Sequence, residues 1–193
     1  MPFNSPAYIL LLALTYLAIR LSKKIIYVLI LLSFVFLFFA GLKDTFIFFF
    51  TILFNWLLIK LVRDGKLRLW LSIPFNILLL SFFKYKNIFF EYENFSYPFL
   101  TNYLPLGISF YCFQSIAYQV DIYRGLTKGA KNFKEFLLFK SFFPQLIAGP
   151  IVRANDLIPQ FRNYMKSKKR LILFGLFLCF LGLTKKIIFA DSI

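Results

Sequence analysis

Residues 104–125 read LPLGISFYCFQSIAYQVDIYRG, and residues 133–161 read FKEFLLFKSFFPQLIAGPIVRANDLIPQF. Both stretches are strongly apolar, yet they hold Gln114, Asp121 and Gln145 and three breaks centred on Pro105, Pro144 and Gly149-Pro150. Polar groups and broken helices at membrane depth are tolerated only where protein or a wet cavity surrounds them. On a 3.6-residue period Tyr111, Gln114, Ser115, Tyr118 and Asp121 share one face, while Phe113, Ile116 and Val120 share the opposite one. Ile108 and Ile122 interrupt the polar face. The expectation is a helix over 105–123 whose polar face points into a bundle.

Outward from this centre the class is set by composition. The 193 residues are 60% hydrophobic and 22% aromatic, with 29 Phe. Four apolar runs precede the central stretch, at about 5–21, 25–42, 45–62 and 67–83. Each approaches the ~17–25 residues that cross a bilayer. Short connections make successive spans antiparallel neighbours. Asn55 and Asn76 read as helix-packing amides. The net charge of +15 lies in short loops between the runs, which is the positive-inside pattern and not a nucleic-acid surface. Basic residues 20–24 and 63–68 alternate with neutral loops. The loops therefore predict an inner-membrane, multi-pass chain with its N-terminus outside and an aromatic external loop over 85–104.

The run 136–148 is too short to span and has basic flanks on both sides, so it is expected to be re-entrant. Lys140 near its centre needs a partner or a water-filled niche. Gln145 is placed to satisfy backbone groups that Pro144 frees. A last membrane helix is expected over about 171–190. The fold class is all-α: a multi-pass membrane helix bundle with re-entrant helices, one membrane domain over 1–193 that looks incomplete. Cys112 and Cys179 read as small core residues.

No metal-ligand spacing, phosphate-cradling glycine loop or nucleophile elbow is present. Asp121 three residues from Arg124 reads as an interfacial ion pair or, alternatively, as a post beside a substrate path. The basic run from Arg162 to Arg170 reads as a headgroup-facing loop or as a dock for an anionic partner or phosphate-bearing cofactor.

At these residues the sequence resembles the membrane-bound O-acyltransferase family, in the branch of alginate O-acetylation proteins. The matching blocks run Leu104 to Tyr111, Phe113-Gln114, Asp121 to Gly125, Phe142 to Arg153, Pro159 to Phe161 and Gly182 to Lys186. The motif positions carried over are Pro105, Gly107, Arg124, Pro144, Gly149, Pro150 and Arg153. Tyr111, Gln114, Tyr118, Asp121 and Gln145 are the candidate funnel-lining or substrate-path residues. The resemblance implies the N-terminal portion of that fold, with an acyl group, acetyl in this branch, passed to hydroxyls of a cell-envelope polysaccharide. It implies a donor on the cytoplasmic side, acyl-CoA or an acyl carrier, with no tightly bound cofactor. The partners expected are the bilayer and periplasmic or extracellular acetylation proteins, with no nucleic acid. The family's transfer uses a histidine, and this sequence has none. The chain alone is therefore expected to be inactive, either as a truncated remnant or as one part completed by a separately encoded C-terminal half. The competing readings are a non-catalytic membrane scaffold or passage component and, more weakly, a secondary transporter.

Overall fold

A computed structural model describes residues 5–22, 24–90, 103–146, 151–163, 169–186 and 188. Among these residues the architecture is helical throughout, with no strand. The elements are α1 (Pro6–Leu21), α2 (Ile25–Ala40), α3 (Leu42–Leu61), α4 (Gly65–Phe90), α5 (Ile108–Tyr123), α6 (Phe133–Ser141), α7 (Phe143–Leu146), α8 (Ala154–Asn163) and α9 (Lys169–Lys185). Two of them, α3 and the Gly65–Lys86 part of α4, are long and apolar enough to cross a membrane. At 16 residues each, α1 and α2 are shorter apolar helices. They rise ~24 Å at 1.5 Å per residue.

Helices α1 to α5 pack as successive neighbours, with α4 lying along α5. Helix α6 crosses α2 and α3, α7 rests on α2, and α8 rests on α6. The phenylalanine excess has a packing use. Phe36, Phe48, Phe136, Phe139 and Phe143 are almost wholly enclosed. Trp56 and Tyr118 lie 5.4 and 5.1 Å from the Phe136 ring, at tilted angles. Tyr111 meets Phe48 edge-on at 5.1 Å. Such pairs add directional energy to plain burial. Hydroxyls inside apolar helices bond back by one turn: Thr15 to the Leu11 carbonyl, Thr51 to Ile47 and Ser115 to Tyr111. This removes their need for water.

Polar groups hold α3, α4 and α5 in register. Asn55 accepts at Oδ1 from Ser72 Oγ at 2.9 Å and from Asn76 Nδ2 at 3.1 Å, and donates to Asn76 Oδ1 at 3.3 Å. Gln119 of α5 donates to the Asn55 backbone carbonyl at 3.2 Å. Both asparagines are thus helix-packing amides, as their position in apolar runs implied.

The boundaries differ from expectation at three places. Helix α4 runs on to Phe90, where the sequence reading ended the span at 83. Lys86 is enclosed because it donates to the Tyr103 carbonyl and lies over the Phe83 and Tyr103 rings, so a charge that looked like a loop signal is packed on the helix. The expected re-entrant run is two pieces, α6 and α7, broken at Phe142. The last helix, expected over 171–190, is described over Lys169–Lys185, and positions 189–190 lie outside the described residues. So do most of the expected external loop and the Gly149-Pro150 break. Of the cysteines, Cys112 is buried, but Cys179 is exposed on α9.

Entry into α5 depends on one glycine. Gly107 has φ +68, and a Cβ there would stand 3.0 Å from the Leu146 carbonyl oxygen. The preceding turn is tied down by Asp44 of α3, whose Oδ1 accepts the Leu106 N–H at 2.6 Å. Replacing Gly107 with alanine is expected to destabilise the fold by about 1–2 kcal/mol from left-handed backbone strain alone. Thermal unfolding in detergent checks this, and no loss of stability would mean the turn relaxes freely.

Candidate functional site

The site forms where α5 crosses α6. Helix α5 turns its polar face inward as its spacing required: Tyr111, Gln114, Ser115, Tyr118 and Asp121 are all buried, and Phe113 is exposed. Gln119, at the edge of that arc, is also fully buried.

Lys140 of α6 has no exposed surface. Its Nζ donates to the Tyr111 carbonyl and to Ser115 Oγ, each at 2.8 Å. These bonds answer the need for a partner that its position in an apolar run created. Neither acceptor is charged. The buried carboxylates among the described residues are engaged elsewhere: Asp44 at Leu106, Asp121 at Arg153, and Glu135 at Arg162. An ammonium held only by neutral acceptors inside a protein is costly, and it marks α5–α6 as a place where stability is not the only constraint.

Several buried polar atoms on α4, α5 and α6 have no bonding partner among the described residues. Both side-chain atoms of Gln114 are enclosed and unbonded, as are the hydroxyls of Tyr111 and Ser141 and Gln119 Oε1. Arg68 Nε, on α4, is in the same condition. Gln114 follows Tyr111 by about one turn of α5, and Ser141 follows Lys140 on α6. Buried polar groups in native proteins are nearly always bonded, to water where protein does not serve.

The remaining candidates hold the frame. Gln145 donates from Nε2 to the Phe139 carbonyl at 2.9 Å. That carbonyl is freed by the break between α6 and α7, and the Phe143 N–H freed with it meets Ser33 Oγ of α2 at 3.4 Å. Tyr118 Oη accepts the Ala130 N–H at 2.8 Å and so fixes the loop after α5. Asp121 does not pair with Arg124. Its partner is Arg153, at 3.4 Å, whose side chain remains 63% exposed. The reason is local: α5 ends with the Leu126 N–H on the Asp121 carbonyl and the Gly125 N–H on the Ile122 carbonyl, with Gly125 at φ +70. This left-handed C-terminal turn carries Arg124 outward. Pro105 is buried before α5, and Pro144 sits in α7. Gly149 and Pro150 lie outside the described residues.

Glu135 closes the basic end. Asn132 caps α6 by accepting the Glu135 N–H at 3.0 Å. The Glu135 carboxylate accepts from Lys131 N–H at 2.9 Å and from Arg162 at 2.9 and 2.5 Å. The Arg162 bonds, more than any other influence, hold the Glu135 carboxyl below its ordinary value. A lowered folded value means the clamp contributes stability above the unfolded carboxylate value, near ~4.3, and loses it as pH falls through the folded value. Acid is therefore expected to loosen α8 from α6. Glu135→Gln should remove that acid-dependent part of the unfolding profile. An unchanged acid limb in the variant would assign it to another carboxylate. Among the described residues no cluster of His, Cys, Asp and Glu forms a metal site.

The helices and the enclosed polar face define an apolar, all-helical membrane chain, and its sequence relatives are acetyltransferases. The chain is 35% identical over 142 residues to the probable alginate O-acetylase AlgI of Azotobacter vinelandii, covering 68% of this chain and 28% of that protein. It is 36% identical over 159 residues to the peptidoglycan O-acetyltransferase of Helicobacter pylori, covering 65% and 30%. Over one 60-residue stretch identity reaches 53% with the probable alginate O-acetylase AlgI of Pseudomonas fluorescens. The resemblance read from the sequence therefore holds, and the matches span under a third of these relatives' own lengths. No family profile matches the chain, and no solved structure matches it.

Proposed function

We propose that this chain supplies the N-terminal part of a membrane-bound O-acyltransferase fold that moves an acetyl group to hydroxyls of a cell-envelope polysaccharide. The observation that carries the reading is identity of 34–39% to alginate and peptidoglycan O-acetyltransferases across most of the chain. The enclosed polar face of α5 fits it. Tyr111, Gln114, Tyr118, Asp121 and Gln145 would border or frame the path of the acyl group. Helix α6 has nine residues and rises only ~14 Å, against a hydrocarbon core of ~30 Å. In this reading α6 and α7 form the re-entrant element, on the cytoplasmic side of the inner membrane, and the N-terminus lies outside.

The donor enters from the cytoplasm as acyl-CoA or an acyl carrier and is not tightly held. A histidine base contributes about 10²–10⁴-fold to such chemistry, and these 193 residues contain none. The transfer therefore needs residues beyond these 193, working with periplasmic or extracellular acetylation proteins. The atoms of Gln114, Tyr111, Ser141 and Arg68 that have no partner among the described residues fit this reading, because a substrate or a further segment could engage them. Co-expression with the remaining C-terminal part of an alginate O-acetylase, pull-down and an acetyl-transfer assay test the reading. Co-purification with transfer is expected only for the pair. Transfer by the 193 residues alone, at rates of full-length relatives, would contradict it.

A further inference from the structure

We infer that a trough on the outer face of α4 is a binding site for an anionic phospholipid. This goes beyond acyl transfer and depends only on the membrane placement of α4. The trough has a volume of about 490 Å³ and is lined by Lys66, Leu69, Trp70, Ile73, Pro74 and Tyr123. Its wall is apolar and aromatic apart from the single ammonium at one end. Trp70 is 77% exposed, so no described element covers it.

Position along the helix fixes the occupant. From Lys66 to Pro74 is eight residues, or ~12 Å of rise. One leaflet of the hydrocarbon core is ~15 Å deep. The trough therefore starts at the water boundary, where α4 begins, and reaches through most of one leaflet. That is the shape of a single lipid, with an acyl chain against Leu69, Ile73 and Pro74 and a headgroup at Lys66. Trp70 and Tyr123 have the amphipathic rings that favour headgroup level.

Charge selects the headgroup. Exposed Arg63 and Arg124 stand at the same end of α4 and α5 as Lys66. Of the acids at this end, Asp64 accepts the Lys66 N–H at 2.9 Å and the buried Asp121 of α5 pairs with Arg153. With Asp121 paired to Arg153, Lys66, Arg63 and Arg124 outweigh the Asp64 carboxylate, and this net positive rim suits a net-negative headgroup over a zwitterionic one, most strongly at the anionic leaflet.

Native mass spectrometry of the full chain with phosphatidylglycerol and phosphatidylcholine of matched acyl chains tests this. Wild type should retain phosphatidylglycerol preferentially. Lys66→Ala should reduce that preference about fivefold, the factor expected for one cation at an anionic surface, and Lys66→Arg should keep it. Leu69→Trp, which fills the trough, should reduce retention of both lipids. Circular dichroism should show the wild-type helical content in each variant. Equal retention of the two lipids by wild type, an undiminished preference in Lys66→Ala, or full retention in Leu69→Trp would each overturn the site.

Discussion

Lys140→Glu is expected to abolish accumulation of folded chain, while Lys140→Met is expected to fold at least as well as wild type. The two substitutions separate a charge effect from a packing effect. Lys140 is completely enclosed and bonded to two neutral acceptors, the Tyr111 carbonyl and Ser115 Oγ. A glutamate would set a carboxylate against that carbonyl, with no cation in place to receive it. An uncompensated buried charge costs about 3–5 kcal/mol, which is a large part of typical folding stability. Methionine keeps the length of the stem and removes the need to desolvate an ammonium. It leaves neither acceptor bare, since Ser115 still donates to the Tyr111 carbonyl at 2.8 Å. Monodispersity and melting temperature in mild detergent read both effects. A methionine variant as damaged as the glutamate variant would show that the ammonium is an indispensable donor, and the charge argument would fail.

The second large effect is expected at Asn55. Asn55→Leu removes the acceptor shared by Ser72 and Asn76 and strands the Asn76 carbonyl oxygen, all inside the α3–α4–α5 contact. A lost interhelical bond in a membrane bundle is worth about 0.6–1.7 kcal/mol. Three such bonds, with buried groups left bare, put the total on the order of 2–4 kcal/mol. Asn55→Leu combined with Asn76→Leu should recover part of the loss, because a paired apolar replacement leaves fewer orphaned atoms than a single one. Additive losses in the double variant would mean the amides act independently and do not form one network.

Much of this was legible in the sequence. The polar arc of α5 is written in its 3.6-residue spacing, and Asn55 and Asn76 are conspicuous in apolar runs. Lys140 announced a need for partners, and Gln145 beside Pro144 announced a backbone repair. What stayed hidden is non-local. The Asp121 partner lies 32 residues on, at Arg153, and no i,i+3 rule reaches it. Gln119 was missed because the polar arc was drawn narrowly. A helical reading extended one position past Ser115 brings it in. The length of α4 was underread because Lys86 looks like a loop residue until the rings of Phe83 and Tyr103 are placed around it. The break at Phe142, two residues before the expected site at Pro144, goes with the docking of the Phe143 N–H on Ser33, a tertiary fact.

The central claim is that these residues build a working part of an O-acetyltransferase. It is tested most directly by replacing the aligned stretch of a Pseudomonas alginate O-acetylase with the matching stretch of this chain and measuring alginate acetyl content. The account predicts acetylated alginate from the chimera. It also predicts loss of acetylation, without loss of membrane insertion, when Gln114→Leu is added. A chimera that inserts at normal levels and leaves alginate unacetylated would contradict the claim.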